Sequence, residues 1–174
     1  LELGKRFYQH VEKFAVIAPS HPEASMTDSS LPYKVWRLPI KDSLLPLVAP
    51  IGLLKIMGNS RFDTVFHAQW QTAIASVLTR KLTGYQKKIF VAAHGRELLI
   101  EPFAGRKKRG GQVLHRYRKK LFGPVDGLFP VSQYTADLLK DDGVSVEKIN
   151  VINNGTDPNF FSPRETKTLS EQLG

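Results

Sequence analysis

The chain has 174 residues, room for one sizeable core and too few for two ordinary domains. Its 41% hydrophobic and 24% charged residues exclude wholesale disorder, and the lack of cysteine excludes disulfides and thiolate metal sites. Lys and Arg number 25 against 16 Asp and Glu, a formal net charge of +9. A balance this basic suggests an anionic partner: nucleic acid, anionic lipid or a phosphate-bearing substrate.

Leu3, Phe7 and Val11 recur at helical spacing, so the chain is expected to open inside an amphipathic helix. "FAVIAP" (Phe14 to Pro19) reads as a buried strand, "SHPEASMTDSSLP" as a polar loop and "YKVWRLP" (Tyr33 to Pro39) as a strand. "LLPLVAPIGLLKIMG" (Leu44 to Gly58) falls short of the roughly 20 residues of a membrane span and is broken by Pro46, Pro50, Gly52 and Lys55. It reads as one or two short helices. "DTVFHA" (Asp63 to Ala68) is a predicted strand, "QTAIASVLTRKLTG" a helix closed by Gly84, and "KIFVAAHG" (Lys88 to Gly95) a strand. "GGQVLHRYRKKLFG" reads as a basic helix and "VDGLFPVS" as a strand. A helix from Ser132 closed by Gly143 and a strand "KINVINNG" follow, and the polar tail "SPRETKTLSEQLG" reads as a linker or surface helix.

Short apolar strands alternating with helices predict an α/β fold: a Rossmann-like, doubly wound parallel sheet with helices on both faces. The opening helix has no strand before it, where such a domain places its first strand, and the chain starts at Leu1 rather than Met. The domain is therefore expected to be incomplete at its start. No secretory signal pattern is visible.

Parallel strands bring their carboxyl ends to one rim, where ligands collect. The predicted ends are His67, His94-Gly95, Ser132 and Asn154-Gly155, a set suited to a polar, phosphorylated ligand. Each has a plainer reading. Ser132 is placed to cap its helix, although the same helix end attracts anions. His67 can cap the sheet. His94 is as well suited to a hydrogen bond within the fold as to a ligand, and Gly95 beside it allows close approach. The histidines form no metal-binding spacing, no phosphate-loop or dinucleotide glycine pattern occurs, and no G-x-S-x-G esterase elbow is present. The basic run Arg106, Lys107, Lys108, Arg109, Arg116, Arg118, Lys119 and Lys120 reads as a solvated face, as a dock for an anionic membrane, or as a nucleic-acid footprint.

"VSQYTADLLKDDGVSVEKINVINNGTDPNFFSP" resembles the segment that closes the first domain of family 4 (group 1) glycosyltransferases, enzymes of GT-B fold. Val131-Ser132, Gly143-Val144, Lys148-Ile149, Asn154-Gly155-Thr156-Asp157 and Phe161-Ser162-Pro163 carry the likeness. "DTVFHAQW" is similar to the family's strand ending in His-x-His, with Gln69 in place of the second histidine. "FVAAHGREL" is similar to its strand ending in His-Gly-x-Asp/Glu.

The resemblance implies two Rossmann-like domains across a cleft, the first binding the acceptor and the second holding the nucleotide sugar. It implies retaining, metal-independent transfer with no cofactor beyond the nucleotide-sugar donor. Residues 1–163 would be the acceptor-side domain, without the family's first strand and its glycine-bearing loop, and 164–174 a linker toward an absent second domain. His94 would be the catalytic contact. His67, Gly95, Arg96, Glu97, Ser132, Asn154 and Gly155 would line the cleft. The implied acceptor is a polysaccharide, a lipopolysaccharide or a lipid-linked sugar of the cell envelope. The implied location is cytoplasmic, docked at the membrane face by the basic run. On this reading nucleic acid is not a partner, and the isolated chain is inactive. The other readings of the residues are a non-catalytic basic module for nucleic acid or polyanions, and a different sugar-nucleotide enzyme such as an epimerase.

Overall fold

The computed structural model describes residues 2–39, 62–84, 86–95, 98 and 118–156. The elements are α1 (Glu2–Phe7), β1 (Ala15–Pro19), α2 (Ala24–Ser29), β2 (Lys34–Leu38), β3 (Thr64–His67), α3 (Trp70–Thr83), β4 (Lys88–Ala93), β5 (Gly127–Pro130) and α4 (Gln133–Asp141). Single 3-10 turns cover Tyr8–His10 and Val146–Lys148, and residues 118–122 are helical. The proline-broken stretch from Leu44 to Gly58, Arg96, Glu97, the basic residues Arg106, Lys107, Lys108, Arg109 and Arg116, and everything from Asp157 onward lie outside the described residues.

Every strand pairing among the described residues is parallel. β3, β4 and β5 form one sheet in that order, with His67 opposite Val91 and Ala93 opposite Pro130. β1 and β2 form a second sheet, Ala15 opposite Lys34 and Pro19 opposite Leu38. Among the described residues β1 and β3 do not pair. The predicted strand at "KINVINNG" is reduced to a short partner of β5. Ile149 bridges Leu128, and the N–H groups of Asn150 and Ile152 donate to the carbonyls of Leu128 and Pro130.

The period of two in the strands divides the larger sheet into two faces. Ile89, Val91, Ala93 and Leu128 bury one face against α3 (Ala73, Val77), Phe122 and α4 (Leu139). Fully burying each large aliphatic contributes roughly 1.5–3 kcal/mol. Phe66, Phe90 and Phe129 line the other face with ring centroids 5.6–6.0 Å apart, and Phe7 of α1 lies 5.4 Å from Phe66. Helices therefore cover both faces, the doubly wound arrangement expected. Phe90 fits because Gly127 has no side chain: a Cβ there would lie 3.0 Å from the ring.

The glycine stops were legible. Gly84 (φ 67°) and Gly143 (φ 80°) take the left-handed conformation that ends α3 and α4. Three local expectations fail. α1 stops at Phe7, and Leu3, Phe7 and Val11 stay largely exposed. The helix seats instead through Gly4, where a Cβ would meet the Tyr33 hydroxyl at 2.5 Å. The "polar loop" holds α2, because a parallel β1–β2 pair needs a return crossover. Asp28 of α2 bonds Arg37 of β2 at 2.7 and 2.9 Å, and that guanidinium also donates to the Pro19 carbonyl. Its hydrogen bond and charge hold the Asp28 carboxyl below the usual carboxylate range. Finally, Gly155 is not left-handed and no turn forms at Asn154-Gly155.

Candidate functional site

The parallel register puts the ends of β3, β4, β5 and the 149–152 segment on one rim, so His67, His94, Ser132 and Asn154 do share an edge. Their side chains are placed very differently.

His67 is buried, 8% exposed. Its Nδ1 lies 2.9 Å from Thr72 Oγ1 and its Nε2 lies 2.8 Å from Ser76 Oγ. The Thr72 hydroxyl donates its one proton to the Gln69 carbonyl at 2.8 Å, so it accepts from Nδ1–H. Nε2 is then the acceptor for the Ser76 hydroxyl. Burial pushes the imidazole pKa down to about 4, which keeps this neutral tautomer at neutral pH. The ring ties the tip of β3 to the first turns of α3. The cleft assignment of His67 is corrected accordingly: both nitrogens are spent inside the fold.

His94 stands exposed just beyond β4. Gly95 follows, and a Cβ at that position would sit 3.1 Å from Thr135 Oγ1. Glycine therefore lets the β4 tip close on the start of α4. Ser132 is the N-cap of α4, accepting from the Thr135 N–H at 3.2 Å, and its Oγ lies 2.9 Å from Thr135 Oγ1. The plain capping reading holds, a contribution of about 1 kcal/mol. Thr135, 1% exposed, is the residue missed from sequence. It links cap to glycine, and the Ser-x-x-Thr spacing was the signal available. Asn154 and Gly155 are exposed at the far end of the rim.

The opposite rim is occupied by ion pairs. Arg80 donates to Asp126 at 2.7 Å and to the carbonyls of Pro124 and Lys87, and Asp126 also accepts from the Ile89 N–H at 2.8 Å. Burial pushes the Asp126 carboxyl up. The Arg80 and Ile89 hydrogen bonds, with the Arg80 and Lys88 charges, outweigh it and hold the pKa below the usual carboxylate range. Lys148 donates to the carbonyls of Gly123 and Val125.

The basic run divides as well. Lys119 and Lys120 are exposed, but Arg118 is only 8% exposed. Its Nη1 donates to the Leu98 carbonyl at 2.8 Å and its Nη2 to Asp142 at 3.2 Å. Its Nε lies 2.9 Å from Asp142 Oδ2, yet out of line for a hydrogen bond. The docking assignment of Arg118 is therefore withdrawn: the side chain braces the C-terminus of α4. No helix among the described residues is long and apolar enough to cross a membrane.

The sequence profile of Glycosyltransferase Family 4 matches residues 1–160. The chain belongs to that family. No curated protein sequence matches this chain. Among solved structures, Anabaena HepE in complex with UDP and glucose superposes on this family member with a TM-score of 0.64 at 17% identity. The match covers 99% of this chain and 44% of HepE, so the chain spans less than half of that protein's length. The likeness establishes a Rossmann-like α/β fold shared with HepE.

Proposed function

We propose that residues 1–163 form the acceptor-binding domain of a retaining glycosyltransferase, joined through 164–174 to a separate donor-binding domain. The donor is a nucleotide sugar and the acceptor a polysaccharide, a lipopolysaccharide or a lipid-linked sugar of the cell envelope. Membership of Glycosyltransferase Family 4 carries this reading. Two observations support it: the shared rim, with His94 exposed on it, and a solved relative in fold that holds UDP and glucose.

In the reaction the bond from sugar to diphosphate breaks, a glycosidic bond to an acceptor hydroxyl forms, and that hydroxyl loses its proton. This domain's task is to position the acceptor, with His94 against the transferred sugar or the departing diphosphate. Gly95, Arg96 and Glu97 flank it, and Ser132, Asn154 and Gly155 form the remaining edge. Metal is not required. Lys119 and Lys120, with Arg106, Lys107, Lys108, Arg109 and Arg116, dock the protein at the cytoplasmic face of an anionic membrane.

The test is a transfer assay with labelled nucleotide sugars, run on the complete polypeptide and on this chain alone. Transfer is expected from the first and none from the second. Turnover by the chain alone would refute the division of labour. Co-sedimentation with vesicles tests docking, and binding indifferent to anionic lipid content would discard it.

A further inference from the structure

The carboxyl end of the β1–β2 sheet holds a polar cavity. Pro19, Ser20, His21, Glu23, Thr27 and Arg37 line about 400 Å³, within the roughly 300–1,000 Å³ of small-molecule sites. It lies on the same side of the molecule as His94. A groove at the other end brings together Phe14 and Ala15 at the start of β1, Lys34 at the start of β2 and Phe62 ahead of β3. The amino ends of both sheets meet there, so their carboxyl ends face the opposite way together. The sheets adjoin on the β3 side: Phe7 of α1 meets Phe66 of β3, while Gly4 meets Phe14 and Tyr33 beside β1 and β2. β3 therefore stands between the cavity and the β4 tip. At about 4.8 Å per strand, His94 lies roughly 10 Å or more away along the rim.

The lining is fixed yet keeps hydrogen-bonding capacity. Arg37 donates from Nε and Nη2 to Asp28 and from Nη1 to the Pro19 carbonyl. A guanidinium has five N–H donors, and these bonds leave two of them. The Glu23 N–H donates to His21 Nδ1 at 3.3 Å, which puts the proton of the neutral ring on Nε2. Among the described residues, that Nε2, the Ser20 and Thr27 hydroxyls and the Glu23 carboxylate have no hydrogen-bond partner.

The charges decide what fits. Asp28 compensates Arg37 at 2.7 Å and Glu23 adds a carboxylate, so the cavity is not basic although the chain carries +9. A phosphate or carboxylate would face Glu23 with no uncompensated cation beside it. A neutral polyol suits the lining better. Arg37 and His21 donate, Glu23 accepts, and the two hydroxyls do either, which matches vicinal hydroxyls that each donate and accept.

We propose that this cavity is a subsite for a neutral sugar unit of the acceptor, set back along the rim from the hydroxyl that reacts at His94. This rests on the acceptor-domain reading above and adds to it a place, a charge class and an acceptor of more than one sugar unit. Contacts made there, away from the reacting bond, hold the reacting unit in position.

Amide NMR on the 174-residue chain tests it. The probes are the methyl glycosides of glucose, galactose, mannose and N-acetylglucosamine, with inorganic phosphate as the anionic comparison. At least one glycoside should shift the Ser20, Glu23 and Thr27 amides, with a dissociation constant on the order of millimolar. Thr27→Val and Glu23→Gln remove side-chain groups that hold nothing in the fold. Each should weaken glycoside binding about fivefold or more. Three results would overturn the proposal: no glycoside shifting these amides up to about 100 mM, phosphate binding there in place of the glycosides, or binding that both substitutions leave unchanged. The readout is independent of transfer. Glycoside binding here, with no sugar moved by the complete polypeptide, would keep the cavity as a sugar site and overturn the acceptor reading. Transfer without binding here would do the reverse.

Discussion

The two rims of the β3–β4–β5 sheet are built on opposite plans. At the amino rim Arg80, Asp126 and Lys148 bond one another's strands and loops, and Arg118 with Asp142 braces the helices just above. At the carboxyl rim Ser132 and His67 are spent on local structure, and His94, Asn154 and Gly155 face solvent. The charged groups that hold the fold are thus segregated from the polar groups exposed at the carboxyl rim. A basic composition does not announce this: Arg80 and Arg118 count toward the net charge of +9 but belong to the scaffold.

Substitutions should separate the rims. Arg118→Ala is expected to cost the most stability, about 3–5 kcal/mol, because it strips the guanidinium from the buried Asp142. Urea denaturation would measure it. Asp126→Ala should cost about 2 kcal/mol, less because that pair is partly solvated.

The pH dependence comes next. The folded pKa of His67 lies below its unfolded value, so the unfolded chain takes up the proton first as pH falls. Stability is therefore full above pH 6.5 and declines from there to about pH 4. Between pH 7 and pH 5 the loss from this group should be about 2 kcal/mol, and His67→Gln should remove most of that slope. Ser132→Ala should cost about 1 kcal/mol through the lost cap. His94→Ala, at an exposed position, should cost less stability than Arg118→Ala or Asp126→Ala. In the complete polypeptide it should still lower the transfer rate by roughly 100-fold or more. An inverted result, with His94 costly to stability and neutral to transfer, would erase the contrast between the rims.

Strand identity and the sharing of one rim were legible because four-residue apolar runs and glycine stops are local signals. Exposure at the rim was not. Whether His67 or His94 is buried depends on what helix packs beside each, and nothing in "VFHA" or "VAAHG" encodes Ser76, nine residues on, beneath the first ring. Arg118 was misjudged for the same reason: its neighbours in sequence carry the same charge, and only packing shows that Arg118 meets Leu98 and Asp142. α2 was missed because its residues favour turns, and it persists through its tether to Arg37 rather than through propensity. α1 was misread because a glycine contact leaves no hydrophobic stripe to detect.

That contact at Gly4 makes α1 sensitive to a single methyl group. The phenol it rests on belongs to Tyr33, which is only 8% exposed. An alanine there would lever the helix off its seat and shift Phe7 against Phe66, passing a strain of one carbon atom into the aromatic face behind the rim. Drift in sequence at this position should thus be far more constrained than at the large, exposed Leu3 beside it.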